Sequence, residues 1–288
     1  MSGQALAQAL VSGLLSGFIF ALISAGLSLI FGVMEIVNFA HGEFLMLSMY
    51  LSYFLYTRLH WDPIAALPVN AAALFALGVV VYYGLIRRVL RAPMLAQIFA
   101  TFGLGVFLQN LAQFLFRPDF RTIGPTSVSG RFVLGGVFIS APQLAAAAGA
   151  VATTGGLWLL LTRTEIGKAL LATAEDRQAA SLMGINPDRM FALAWGLGAA
   201  CVGVAGALLS TFYYVFPQVG GVFALIAFVA VALGGFGSIT GAFIGGVLIG
   251  VIESMAGVLV NPAVKNIFVF GVYLAVVLLR PRGLVGKQ

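Results

Sequence analysis

The sequence predicts an all-α polytopic membrane protein, with about eight or nine transmembrane helices and a cytoplasmic coupling helix. Three observations predict it. Hydrophobic residues make up 61% of the 288-residue chain and charged residues only 8%, with a mean hydropathy of +1.07, so a globular surface cannot be built from it. The apolar residues fall in continuous runs of about 20 residues, the length a helix needs to cross a bilayer, and they lack the alternation of β-barrel strands. One stretch, residues 163 to 189, is the longest polar interruption and holds eight charges. The chain reads as a single transmembrane domain, 1–288, folded around that loop.

Spans are expected near residues 10 to 31, 36 to 57, 64 to 86, 94 to 116, 137 to 161, 190 to 212, 222 to 239, 241 to 260 and 264 to 280. The first lacks a basic segment ahead of it and is too long for a signal-peptide core, so it stays as a membrane helix. The segment 222 to 239 is short and ends in LGGFG, so it either spans or re-enters. Placing residues 163 to 189 in the cytoplasm puts ten basic residues inside: Arg87, Arg88, Arg91, Arg163, Lys168, Arg177, Arg189, Arg280, Arg282 and Lys287. Five lie outside: Arg58, Arg117, Arg121, Arg131 and Lys265. That asymmetry fixes an external N-terminus and a cytoplasmic C-terminus if all nine spans cross, although the outer loop at 117 to 131, with three Arg, fits the rule poorly. Basic residues scattered along membrane borders determine topology, so the net charge of +6 calls for membrane lipid and no nucleic acid. Cys201, the only cysteine, sits in an apolar run as a small inert hydrophobe.

Within the polar loop, Thr162 three residues before Glu165 is a capping-box pattern, and Gly184 followed by Ile185 suits a left-handed helix stop. Asn186, Pro187 and Asp188 then open the next long helix as cap, first helical residue and first-turn acid. Glycines spaced four apart, Gly237, Gly241 and Gly245, with Gly246 and Gly250, leave a helix face bare enough for close packing; Gly13 and Gly17 repeat the spacing.

Polar residues at membrane depth cluster in VNFAHGEF, 37 to 44. Asn38 and His41 are three apart and share a helix face, whereas Glu43 points nearly opposite. These ionisable groups face either a polar cavity or the wetted headgroup border; the border suits Glu35. Glu253 is a second buried-looking acid, and Gln97, Gln109, Asn110 and Gln113 place amides in the fourth span, where they either bind helices together or line a passage. The sequence holds no GxxxxGK[ST] phosphate loop, no metal-ligand set and no catalytic Ser/His/Asp or Cys/His constellation, so this chain is not expected to hydrolyse ATP itself.

Residues 178 to 184 run Gln-Ala-Ala-Ser-Leu-Met-Gly, which resembles the Glu-Ala-Ala-three-residues-Gly loop by which permease subunits of ABC importers dock onto their ATPase. Gln178 stands where the wider pattern has Glu. With GLSLIFGVMEIVNFAHGEF (26 to 44), GKALLATAEDRQAASLMGIN (167 to 186), ALGGFGSITGAFIGGVLIGVIES (232 to 254) and the tail RPRGLVG (280 to 286), the chain resembles, over nearly its whole length, the LivH-type permeases of high-affinity branched-chain amino acid ABC importers.

The resemblance implies a bacterial inner-membrane importer of branched-chain amino acids, although relatives of this shape also carry urea, short amides and aromatic acids. It implies a second, LivM-like permease, two cytoplasmic LivG/LivF-like ATPases that hold the ATP and Mg, and a periplasmic binding protein. The docking surface would be Glu175, Asp176, Arg177, Gln178, Ala179, Ala180 and Gly184, on a helix from 165 to 183 that moves as a rigid lever. Asn38, His41, Glu43, Gln109 and Glu253 are the pathway candidates. The rival reading is an ion-driven secondary transporter, which would need no ATPase and against which the docking-like loop argues.

Overall fold

The computed structural model describes residues 3–124, 126–261, 265–280 and 283–285; Arg282, Lys287 and part of the RPRGLVG tail lie outside them. Each of the nine expected apolar segments contains a helix, although 36–40 is non-helical and 137–140 is a strand. Helix α1 (Gly3–Met34) has 32 residues, about 48 Å at 1.5 Å per residue, and so exceeds the roughly 30 Å apolar core of a bilayer. There follow α2 (His41–Leu59), α3 (Leu67–Val81), a π-helical turn (Tyr82–Ile86), α4 (Arg87–Val89) and α5 (Met94–Phe116). After the hairpin β1 (Arg131–Leu134) and β2 (Val137–Ser140) come α6 (Ala141–Arg163), α7 (Glu165–Glu175), α8 (Arg177–Leu182) and α9 (Pro187–Leu209). Helices α10 (Val219–Gly234), α11 (Ile239–Leu259) and α12 (Lys265–Leu279) complete the chain. Among the described residues six helices, with α3 run on through α4, are long and apolar enough to cross a membrane; α10 and Ile267–Leu279 are shorter apolar helices, and α2 is interrupted by His41, Glu43 and Arg58.

Glycine sets the closeness of the central helices. A Cβ on Gly250 would stand 2.4 Å from the Cα of Gly17, and one on Gly246 would stand 2.4 Å from the Cα of Ala21, so α11 and α1 meet backbone to backbone. Gly241 and Gly245 serve a different neighbour, with the Gly234 and Ala230 carbonyls of α10 at 2.3 and 2.1 Å from where their Cβ would be. Gly237 is not part of that face. Its φ of +80° places it in the turn before α11, beneath Gly32 of α1, and Ser238 caps α11 by accepting from the Gly241 N–H at 3.0 Å. The expected single face therefore divides between a turn, α10 and α1.

Helix α9 packs at the centre, antiparallel to α3, with a Gly203 Cβ site 2.9 Å from the Asn70 carbonyl and a Gly206 site 2.7 Å from the Leu45 carbonyl of α2. Trp195 and Cys201 of α9 are fully buried, the latter as the inert hydrophobe expected. By contrast α5 is an outer helix: Phe99, Phe102, Phe107 and Phe114 are all exposed.

The hairpin was hidden from the sequence because its strands merge with the apolar run of α6. Gly135 and Gly136, with φ of +58° and +82°, supply the two positive-φ residues of a two-residue hairpin turn. Gln8 of α1 ties it down, its Nε2 donating to the Phe138 carbonyl at 2.8 Å and its Oε1 accepting from the Phe138 N–H at 2.7 Å.

Candidate functional site

Two regions are built around the predicted site residues, one at the helix ends that carry the polar loop and one in the helical interior. The polar loop leaves α6 by a corner that only Gly167 permits, since a Cβ there would stand 2.2 Å from the Leu160 carbonyl. The capping residue is Thr164, not Thr162: Thr164 Oγ1 accepts from the Gly167 N–H at 3.0 Å, while the Thr162 hydroxyl donates back to the Trp158 carbonyl of α6. Nor is 165 to 183 one helix. It breaks at Asp176, whose Oδ1 accepts from the N–H groups of Gln178 and Ala179 at 2.8 and 2.9 Å, ending α7 and capping α8 in one side chain. An acid that can cap competes with the helix that would otherwise run through it.

Helix α8 ends as the sequence predicts. Gly184 has φ +84°, the Ile185 N–H reaches the Ala180 carbonyl at 3.0 Å, and Asn186 Oδ1 accepts from the Arg189 N–H at 3.2 Å to start α9 at Pro187. Glu175, Asp176, Arg177, Gln178, Ala179 and Gly184 are exposed, but Ala180 is buried, so only one alanine of the pair faces outward. Beyond them Leu182 and Met183 are 89% and 82% exposed, two large apolar side chains held out by a capped helix end. Beside α8 opens a polar cleft of about 710 Å³, lined by Arg87, Arg88, Arg91 and Arg177. Its floor is fixed by Asp188, which pairs with Arg87 at 2.8 Å and accepts from the Tyr82 hydroxyl at 3.2 Å, and by Arg177, whose guanidinium lies 4.5 Å from the Phe191 ring centroid.

In the interior, α2 does not start level with the end of α1. Residues 35 to 38 run back without helix, so that His41 begins α2 beside the middle of α1, its Nε2 2.9 Å from the Ile23 carbonyl. Helix α10 begins at the same place. A Cβ on Gly42 would stand 2.1 Å from the Gly220 carbonyl, which means the first turns of both helices touch through glycine. Two helix N-termini, each a positive dipole end, thus converge inside the protein. In the segment expected at 222 to 239 to span or re-enter, the helix is α10, a shorter apolar helix of 16 residues that ends at Gly234. Val215 bridges to Arg121 beyond the C-terminal end of α5, a turn at Pro217 and Gln218 leads into α10, and α10 carries the chain on to the opposite end, where the Leu284 N–H bonds the Leu233 carbonyl.

Asn38, His41 and Glu43 are brought together here, at 1%, 1% and 7% exposure, which excludes the headgroup border for all three. Asn38 lies in the turn before α2, so it shares no helix face with His41; its Oδ1 accepts from the Ala40 N–H at 3.1 Å. Glu43 wedges between α10 and α5, its Oε2 2.7 Å from the Cβ position of Gly220 and its Cγ 3.8 Å from that of Gly105. Glu43 Oε2 and His41 Nδ1 have no hydrogen-bond partner among the described residues. Both atoms are enclosed by the protein, as are the Ser24, Ser28 and Ser52 hydroxyls, which likewise have no partner among the described residues. Gln109 is half-buried one turn beyond Gly105, while Asn110 and Gln113 are exposed. Glu253 stands apart: it pairs with Lys265 of α12 at 2.5 Å and lines a separate cavity. Glu35 is exposed, with φ +57°. Among the described residues, no group of three His, Cys, Asp or Glu could hold a metal ion.

Sequence reasoning missed Gly42 and Gly220, whose meeting makes the central junction, and the Arg87, Arg88 and Arg91 side of the cleft. The glycines carried no spacing signal because they contact each other across the fold.

Residues 9–277 match the family described as branched-chain amino acid transport system / permease component. The chain is 35% identical to the high-affinity branched-chain amino acid transport system permease protein BraD of Pseudomonas aeruginosa, over 93% of this chain and 92% of that protein. It is 32% identical to LivH of Escherichia coli strain K12, which bears the same description, over 93% and 91%. A probable branched-chain amino acid transport permease protein LivH of Methanocaldococcus jannaschii is 28% identical over 93% and 89%. No solved structure gives a significant match.

Proposed function

The chain belongs to the branched-chain amino acid transport system permease family, and we propose that it is one of two permease subunits of an ATP-driven importer that carries branched-chain amino acids across a bacterial inner membrane. The observation that carries this reading is α8: a short capped helix that holds Leu182 and Met183 out to solvent beside an arginine-lined cleft, as a docking surface for another protein requires. Two cytoplasmic ATPases, similar to LivG and LivF, bind ATP and Mg and dock there. A LivM-like permease covers the phenylalanine face of α5, and a periplasmic binding protein delivers the solute to the opposite end.

Closure of the ATPase dimer pushes α8, and Asp176 is the joint through which α7 and α8 transmit the push as two segments. Because α8 leads through Gly184 directly into α9, the push reaches the central helix against which α1, α2 and α3 pack, and the helices rock about it. The solute's polar end passes the junction of α2 and α10, where Glu43 offers an unpaired carboxyl oxygen to an ammonium group and His41 an unpaired ring nitrogen; Asn38 holds the turn that presents them.

Leucine uptake into proteoliposomes holding the four-subunit complex and its binding protein tests this reading. Uptake that requires ATP, and that drops about tenfold or more when Glu43 becomes Ala, is the expected result. Uptake driven by an ion gradient without ATP would replace the importer by a secondary transporter, and unchanged kinetics in Glu43→Ala would remove that residue from the pathway.

A further inference from the structure

The apolar run Leu67–Val89, long enough to cross a membrane, ends in positive charge. Its last turn, α4, opens with Arg87 and Arg88, and Arg91 follows; all three are exposed. With Arg177 of α8 they line the cleft of about 710 Å³, whose one acid, Asp188, is already held by Arg87 and the Tyr82 hydroxyl. Arg88 and Arg91 have no ion-pair partner among the described residues. The cleft therefore presents uncompensated charge where α3 and α9 leave the apolar layer, and Leu90, Ile185 and Phe191 give it an apolar side. A second observation lies on the outer face of α3. Ala72, Ala76, Val80 and Tyr83 recur at spacings of four and three and are all exposed, Val80 at 65%, so an uncovered apolar strip runs along the helix to Arg87. Gly84, in the π-helical turn, lowers the floor of that strip, since a Cβ there would meet nothing within 4 Å.

We propose that the end of α3 is a binding site for one anionic phospholipid of the cytoplasmic leaflet, its phosphate between Arg88 and Arg91 and an acyl chain along Val80 and Tyr83. Basic pockets at the cytoplasmic ends of transmembrane helices suit anionic headgroups, and a guanidinium matches a phosphate in shape as well as in charge. The arginines and the strip together select this ligand. A free phosphate uses the arginines and leaves the strip bare. A lipid with a zwitterionic headgroup covers the strip but brings its own cation to the arginines. A protein segment entering from the cytoplasm reaches the cleft and again leaves the strip uncovered. The headgroup takes the α3 side of the cleft, so Leu182 and Met183 of α8 remain for the ATPase.

The test reconstitutes the assembled complex in vesicles of equal phosphatidylglycerol and phosphatidylcholine, extracts it in detergent and reads the retained lipid by native mass spectrometry. Retention of phosphatidylglycerol in preference to phosphatidylcholine is the result expected. Each arginine beside an anionic headgroup contributes about a factor of five, so Arg88→Gln combined with Arg91→Gln should lower that preference about 30-fold. Gly84→Leu keeps every arginine and fills only open space on the strip, and it should lose the retained lipid from a complex that still assembles. Equal retention of the two lipids, or retention unchanged in either variant, would overturn the site. Displacement of the lipid by inorganic phosphate alone would overturn it in favour of a soluble anion. A Gly84→Leu chain that loses its second permease would overturn it by assigning the strip to that protein.

Discussion

Replacing Gly184 with Val should separate coupling from assembly, and the structure gives the size of the effect. Nothing lies within 4 Å of a Cβ at this position, so the cost is not steric crowding. It is the backbone: φ is +84°, and a left-handed conformation costs an ordinary L-residue about 1–2 kcal/mol, more when the side chain is β-branched. The alternative is for the residue to leave that conformation, which breaks the Ile185 N–H to Ala180 carbonyl bond, about 1 kcal/mol, and turns Asn186 away from its cap on α9. Either route costs about 2 kcal/mol, a factor of about 30 in the population of correctly aimed α8. The packing of Trp195, Gly198, Gly203 and Gly206 against α1, α2 and α3 lies several turns away and should be undisturbed. Size-exclusion chromatography of the complex, ATP hydrolysis with loaded binding protein, and leucine uptake are the three assays. The expected pattern is a monodisperse complex whose uptake per ATP falls about 30-fold, with Gly184→Asn intermediate because Asn tolerates left-handed φ. A Gly184→Val chain that fails to assemble, or one that imports at the wild-type rate, would refute the assignment of this turn to coupling.

The remaining predictions concern packing, capping and pH. Gly250→Val should destabilise the protein by about 3 kcal/mol or more, since even its Cβ would stand 2.4 Å from the backbone of Gly17; thiol-dye labelling of the buried Cys201 during heating would show the lower melting temperature. Asp176→Ala removes both bonds that cap α8 and should cost about 1 kcal/mol, read as several-fold weaker binding of the ATPases. Asp62, in the connection from α2 to α3, is pushed up by partial burial but held below the usual carboxylate range by hydrogen bonds from Ser127 and from the Ile64 and Ala65 amides. A depressed folded-state pKa means that its contribution is present above the ordinary value of 3.8 and is lost as pH falls through the lower, folded value. Protection of the Ser127 and Ile64 amides against hydrogen exchange, taken relative to the intrinsic rate at each pH, should therefore fall in acid in the wild type and be low throughout that range in Asp62→Asn.

What the sequence made legible was whatever depends on neighbours in the chain. Hydropathy placed α5 at 94 to 116, where it lies, and the Gly184, Asn186 and Pro187 signals wrote the end of α8 and the start of α9 correctly. Local pattern failed where two signals were equivalent or where a distant partner decides. Thr162 and Thr164 both offer a hydroxyl near the start of α7, and the corner at Gly167 selects Thr164. Gly237 keeps the four-residue spacing but adopts positive φ, because α11 can only turn back under Gly32 of α1 there. Asn38 falls inside the span expected at 36 to 57 and so reads as helical; hydropathy cannot see that the first residues of that span are not helical and that α2 begins beside Ile23. The same blindness hid the meeting of Gly42 with Gly220, and with it the reason Glu43 can be buried at all. Of the five pathway candidates, the fold gathers Asn38, His41 and Glu43, leaves Gln109 on the adjoining face of α5, and sends Glu253 to Lys265, a partner whose position in the fold no local spacing could reveal.

The central claim is that α8 and its arginine-lined cleft are a docking surface for an ATPase. It is tested most directly by purifying this chain from native membranes and measuring ATP hydrolysis in the purified material, with and without a loaded periplasmic binding protein. Recovery of two ATPases and a second permease, with hydrolysis stimulated by the binding protein and the ATPases recovered in several-fold lower yield from Asp176→Ala, is the result expected. A chain that purifies alone, or only with copies of itself, and still transports would contradict it.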